Sequence, residues 1–272
     1  MKRILPFIAM LLLAACGGQQ ADEKSGKTGT VEKQAVQAVD ETPATVVYLQ
    51  ESEPGVEPYA TRMIVTPDFL RMDDGQDDGD YLLYDRRSRT IHSVSHGDRT
   101  VLDIPFHAVG IEPPPGLERI TRRTVDEQAP AVGGRQPVQQ KDFVNARLCM
   151  ETVSAPGLLD DARRALKEYR EALAGEQARN LYKTPPELRD PCMLSNLVFH
   201  PGKGLEEGFP LYERNQVGQT RELTDFERNR KVKASLFDLP EGYRHYRIRV
   251  EPQEGEAFKA EDAPDASPGP SS

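Results

Sequence analysis

Three stretches of this 272-residue chain carry residue types at spacings that could do chemistry. The first is Asp73-Asp74-Gly75-Gln76-Asp77-Asp78-Gly79-Asp80, where Asp74, Gln76 and Asp78, with Asp85 further on, loosely copy the oxygen spacing of a calcium loop. Asp85 stands where a bidentate glutamate belongs, and strand-forming residues flank the loop where helices should, so an acidic hairpin turn is expected instead. The second is His92 with His96, four apart as on one helix face. His92 falls in a strand pattern and His96 in a turn, which removes the helical geometry a metal pair would use. The third, Gly26-Lys27-Thr28, ends like a phosphate-binding loop but has Ala21 where the earlier glycine is required and no strand before it. His107, His200 and His245 are scattered, and neither G-x-S-x-G nor H-E-x-x-H occurs. The expectation is a non-enzymatic chain with no catalytic residue, no metal site and no cofactor.

The three cysteines say more. Lys2 and Arg3 precede an apolar run from Ile4 to Leu13, and small residues Ala14 and Ala15 lead to Cys16, the order of a secretory signal. The run is too short to span a hydrocarbon core as a stable helix. Leu13-Ala14-Ala15-Cys16 resembles the lipobox of bacterial lipoproteins. That resemblance implies cleavage before Cys16, a diacylglyceryl group on its thiol, acylation of the new amine and anchoring to a membrane. Gly17, in place of the aspartate that signals inner-membrane retention in such proteins, implies the outer membrane, with the domain facing the periplasm. With Cys16 taken by lipid, Cys149 and Cys192 are an even pair in an oxidising compartment, and one disulfide is expected. Two separate buried thiols are the alternative, because sequence does not show their Cα atoms approaching.

Charge narrows the partners. The formal net charge is −9, from 35 basic and 44 acidic residues, and cleavage removes Lys2 and Arg3 to leave −11. Such a chain is a poor electrostatic partner for nucleic acid or anionic headgroups. The signal occupies 1–15. Residues 16–43, rich in Gly, Gln, Lys, Glu and Thr, read as a flexible tether, and 251–272, acidic with Pro264, Pro268 and Pro270, as a disordered tail. The folded domain is then 44–250.

Short β-branched and aromatic runs at 45–50, 62–66, 68–72, 80–85, 90–94 and 100–104, parted by Asp-Gly turns, predict an antiparallel meander. Pro113-Pro114-Pro115 reads as a stiff loop, or as a polyproline ligand. Strand patterns recur at 142–153, 194–199, 209–214 and 230–237, the last from Val232, Ala234 and Leu236 alternating with polar residues. Between them Leu158, Ala162, Ala165, Leu166, Tyr169, Ala172 and Leu173 share one face of a helix that Pro185 and Pro186 stop. The helix is expected to cover the sheet; docking a partner is its rival role.

The succession Met63-Ile64-Val65, Leu70-Arg71-Met72, Tyr81-Leu82-Leu83-Tyr84-Asp85 and Ile91-His92-Ser93-Val94, with the closing Phe237-Asp238-Leu239-Pro240-Glu241-Gly242-Tyr243, resembles the antiparallel half-barrel of the LolA/LolB lipoprotein carriers and their periplasmic relatives. The resemblance covers 44–245 in layout and implies a curved sheet and a helical lid around an apolar cavity for acyl chains. The Cys-flanked helical insertion departs from that pattern, and no ligand-contacting residue can be matched. The sequence therefore predicts an α+β fold, a curved half-barrel-like antiparallel sheet with one long helix packed on it. Its expected role is to bind a hydrophobic ligand such as lipid or acyl chains, or alternatively an envelope protein.

Overall fold

The computed structural model describes residues 40–125 and 127–247. Its strands are β1 (Glu41–Ser52), β2 (Tyr59–Val65), β3 (Phe69–Asp73), β4 (Tyr81–Asp85), β5 (Thr90–Ser95) and β6 (Thr100–Ile104), then β7 (Arg119–Val125), β8 (Val138–Val144), β9 (Arg147–Ala155), β10 (Phe209–Asn215), β11 (Thr220–Lys233) and β12 (Arg244–Tyr246). One helix of length, α1 (Asp160–Tyr182), interrupts them between β9 and β10. All twelve strands join one open sheet in the order β12-β6-β5-β4-β3-β2-β1-β11-β10-β9-β8-β7.

The order contains two meanders back to back. From β1, in mid-sheet, the strands step outward through antiparallel neighbours to β6. It crosses to the far edge, then returns from β7 through β10 to β11, which pairs with β1 along eleven registered positions. The antiparallel expectation holds for every ladder but one: β12 lies parallel to β6, which makes the sheet mixed. β1 also begins at Glu41, inside the stretch read as tether.

Both faces of the first meander are covered, and β4 shows how. Tyr81 and Leu83 point to one apolar cluster, Leu82 and Tyr84 to the other, as strand alternation requires. On one side Val47, Met63, Leu70, Tyr84 and Ile91 meet Leu159, Ala162, Ala165 and Leu166 at and beyond the start of α1. Burial of each large aliphatic there contributes roughly 1.5–3 kcal/mol. On the other side Ala44, Val46, Ile64, Leu83 and Val101 are covered by Val232, Leu236 and Phe237, and Phe237 stacks on Phe69 with centroids 5.4 Å apart. Small residues let α1 lie close. At Gly175 a Cβ would come within 2.2 Å of the His107 carbonyl oxygen, so the 105–109 loop passes over the helix only where no side chain stands.

Four sequence expectations change. Leu194–Phe199 is not a strand but a π-helical turn; Asp190 caps the turn before it by accepting from the Met193 N–H at 3.0 Å, with Pro191 in first position. Arg230–Phe237 is strand only to Lys233. Ala234–Phe237 is a 3₁₀ turn, which lets the adjacent Leu236 and Phe237 both face inward, as successive strand residues cannot. The 142–153 pattern is a hairpin, broken at Asn145 and Ala146, which have φ of 50° and 64° and form the two-residue turn that matches strand twist. β7 has no counterpart among the expected strands: its Arg and Thr residues are mostly exposed and carry no apolar alternation.

Candidate functional site

The expected disulfide joins Cys149 on β9 to Cys192 beyond α1, with Cα atoms 5.1 Å apart and both residues fully buried. It fastens the two ends of the helical excursion. Cys16 and Gly26-Lys27-Thr28 lie outside the described residues.

The aspartate turn holds arginine side chains. Asp73 accepts from Arg62 Nε at 2.9 Å and from Arg71 Nε at 2.6 Å, and Arg71 donates to the Leu236 carbonyl at 2.8 Å while covering the Tyr81 ring. Asp77 pairs with Arg62 at 3.0 Å and Lys233 at 3.2 Å; burial pushes its carboxyl up, but those two cations outweigh it and hold it below its usual value. Asp74 accepts from the Gln76 N–H, Asp78 is exposed, and Asp85 at the far end of β4 caps the Arg87 and Ser88 N–H groups. The turn is a clamp between β2, β3 and the 234–237 turn. Among the described residues no group of three His, Cys, Asp or Glu is placed to hold a metal.

The histidines separate as their elements dictate. His96 Nδ1 meets the Tyr243 hydroxyl at 2.7 Å, whereas His92 Nδ1 lies 2.7 Å from Asp103 Oδ1. His245 Nδ1 approaches the other oxygen of the same carboxylate at 2.9 Å. Burial pushes Asp103 up, but His245 and His92 together hold it below the ordinary carboxylate range. One carboxylate thus sews β5, β6 and β12 together, a grouping that sequence spacing did not signal. His200 Nδ1 sits 3.4 Å from Ser195 Oγ, with burial and then Arg119 lowering its pKa. Ser195 is fully buried, and its hydroxyl also accepts from Arg119 at 3.0 Å.

Charged pairs pin α1 across the sheet. Arg86 grips Glu168 with two bonds of 2.7 and 3.0 Å, Arg170 grips Glu213 at 2.7 and 2.9 Å, and Thr45 donates to Asp161 at 2.5 Å. Burial raises the Glu213 carboxyl, yet Arg170 and then Arg221 pull it below its ordinary value. Between these pins the seam is apolar. Val47, Met63, Leu70, Ile91, Ala162 and Ala165 have no surface that a water molecule could touch, from outside or from within an internal void. Two small clefts open nearby. One, of about 130 Å³, is lined by Asp103, His107, Glu176, Arg179 and Arg247; another, of about 170 Å³, by Glu51, Glu53, Glu213 and Arg221. Both are charged, and both fall short of the roughly 300–1,000 Å³ typical of ligand pockets.

One strand edge is left without a neighbour. β11 has fourteen residues and β10 seven, and the two pair only at Tyr212↔Glu222, Glu213↔Arg221 and Arg214↔Thr220. Pro210 supplies no N–H, and the β9–β10 register shifts just after it, which turns β10 toward β9. Among the described residues, Leu223–Lys233 therefore has a strand partner on its β1 side alone. Leu223 and Phe226 are half-buried against the core, while Glu227 to Lys231 are exposed.

The chain matches no family model and no curated protein. Similar solved structures include an uncharacterized conserved protein from Thermus thermophilus, with TM-score 0.40 and 9% identity over 76% of this chain and 91% of that one. PNGF-II, in two crystal forms, has TM-score 0.37 with 10% and 9% identity over 76% of this chain. The match spans 31% and 32% of the PNGF-II chains, about a third of their length. Likeness this distant assigns neither fold family nor activity. Among the described residues no helix is long and apolar enough to cross a membrane.

Proposed function

We propose that the chain is an envelope lipoprotein, lipidated on Cys16 and tethered at the outer membrane facing the periplasm, whose folded domain binds another envelope protein. The sheet is taken as half-barrel-like, with α1 as a lid fixed in place rather than a door. The observation that carries the protein-binding reading is the contrast between a packed seam and an open edge. α1 is packed on the sheet and held by the Arg86–Glu168 and Arg170–Glu213 pairs, while Leu223–Lys233 has no strand neighbour on the side away from β1 among the described residues. Photo-crosslinking in cells from positions 224 and 226 should trap a protein partner, and Cys16→Ala should abolish palmitate labelling of the precursor. Lipid copurifying with the delipidated domain in native mass spectrometry, with no protein crosslink, would return the reading to hydrophobic-ligand carriage. Palmitate incorporation into the Cys16→Ala chain would remove the anchor from it.

A further inference from the structure

We infer that the cleft between the end of β6, the 105–109 loop and α1 binds a small zwitterion, an α-amino acid of about glycine's size. Its ammonium would meet Glu176 and its carboxylate Arg179. This site is separate from the protein-binding reading and does not depend on it.

Glu176 is the residue that points to a ligand. It stands in the second half of α1 and is only 7% exposed. A buried carboxylate is ordinarily paired or hydrogen-bonded, because it has given up its water. The chain's other buried acids follow that rule. Asp73 is held by Arg62 and Arg71, Asp142 by Arg119, Thr121 and Gln140, and Glu213 by Arg170. Glu176 departs from it. Among the described residues its Oε1 accepts no hydrogen bond, and its Oε2 lies 3.6 Å from Arg179 Nη1, outside hydrogen-bonding reach. His107 does not supply the missing charge either. Burial, then Arg179, lower its pKa, so the imidazole is uncharged at neutral pH.

The cleft that Glu176 lines decides what can supply a donor. Asp103, Pro105, His107, Arg179 and Arg247 form the rest of its wall. Asp103 is already shared by His92 and His245, which leaves the Glu176 carboxylate and the guanidiniums of Arg179 and Arg247 for a ligand. A simple cation would sit beside two arginines, and a simple anion beside Glu176. A molecule carrying both charges satisfies both ends. Size narrows it further. About 130 Å³ is the volume of about four water molecules at ~30 Å³ each, room for about five non-hydrogen atoms. That excludes acyl chains, sugars and nucleotides. The cleft is also formed in advance: at Gly175, next to Glu176, the His107 carbonyl rests on α1 where a Cβ would come within 2.2 Å of its oxygen.

The test titrates glycine into the full-length chain and follows backbone amide shifts by NMR. Saturable shifts are expected at 103–107 and 176–179. Acetate and methylamine, each with half the charge pattern, should bind at least about tenfold more weakly. Glu176→Gln and Arg179→Gln should each weaken glycine binding about tenfold or more, since each removes one charged partner. Glu176→Gln should also raise the Tm of the ligand-free chain, because a buried amide costs less to desolvate than a carboxylate. A lower Tm would give Glu176 a partner within the fold and overturn the inference. No saturable shift with glycine, shifts confined to other regions, or unchanged affinity in either variant overturns it too. So does acetate or methylamine binding as tightly as glycine, which would make the cleft an anion site or a cation site.

Discussion

Replacing Arg170 by methionine tests whether α1 is fixed to the sheet by charge as well as by packing. Arg170 holds both oxygens of Glu213, at 2.7 and 2.9 Å, and Glu213 is only 6% exposed. Removing one partner of a buried pair costs about 3–5 kcal/mol, because the other charge is left desolvated. Arg221 stays 3.8 Å from Glu213, which argues for the lower end, about 3 kcal/mol. In a domain of this size that is a fall of roughly 6–12 °C in Tm. The pH dependence follows from the direction of the Glu213 shift. Its folded pKa lies below the unfolded one, so the pair stabilises the fold above the unfolded value and loses that contribution as pH falls through the folded value. In Arg170→Met burial dominates, and the folded pKa rises instead. The difference between wild type and variant should therefore be largest near pH 7 and narrow toward pH 4, where Glu213 in the variant takes up a proton. Urea denaturation at several pH values measures it, and Arg170→Met/Glu213→Leu should recover more than half the loss. A difference under about 1 kcal/mol, or one constant from pH 7 to 4, would refute the reasoning.

Two further outcomes follow from packing and chain connectivity. Cys149→Ala/Cys192→Ala opens a loop with sequence separation 43, for which chain entropy gives a loss of about 4 kcal/mol; urea midpoints that match those of the oxidised wild type would contradict it. Gly175→Ala should destabilise by about 1–3 kcal/mol despite alanine's better helix propensity, because the new Cβ meets the His107 carbonyl oxygen at 2.2 Å. A variant that melts higher would mean that the 105–109 loop does not rest on the helix.

The parts legible in the sequence are those whose instructions are local. β2 to β6 are strands of five to seven residues with turns between them, and their β-branched and aromatic composition can be read within each run. α1 declares itself by the spacing of Leu158, Ala162, Ala165 and Leu166 and by the prolines after it. Where the deciding contact is distant, the pattern misleads. Leu194–Phe199 has a strand's composition, but Cys192 is tied to Cys149 and the Asp190 cap starts a helical turn. β7 is a strand because β8 pairs with it, not because its residues alternate. The Asp103 clamp on His92 and His245 needs residues 11 and 142 positions apart, one brought by register and the other by a parallel strand.

The open edge belongs to this second kind, and strand lengths account for it. β1, with twelve residues, needs a neighbour of similar length on the side away from β2, and β11 supplies fourteen. β10 must also serve β9, and Pro210 with the register shift beside it bends that strand out of line with β11. A seven-residue strand placed this way covers three positions of a fourteen-residue one, so uncovered length on β11 follows from the topology. That length carries Asp225 and Glu227 beside Arg228, Arg230, Lys231 and Lys233, and charged side chains along an edge discourage strand pairing between copies.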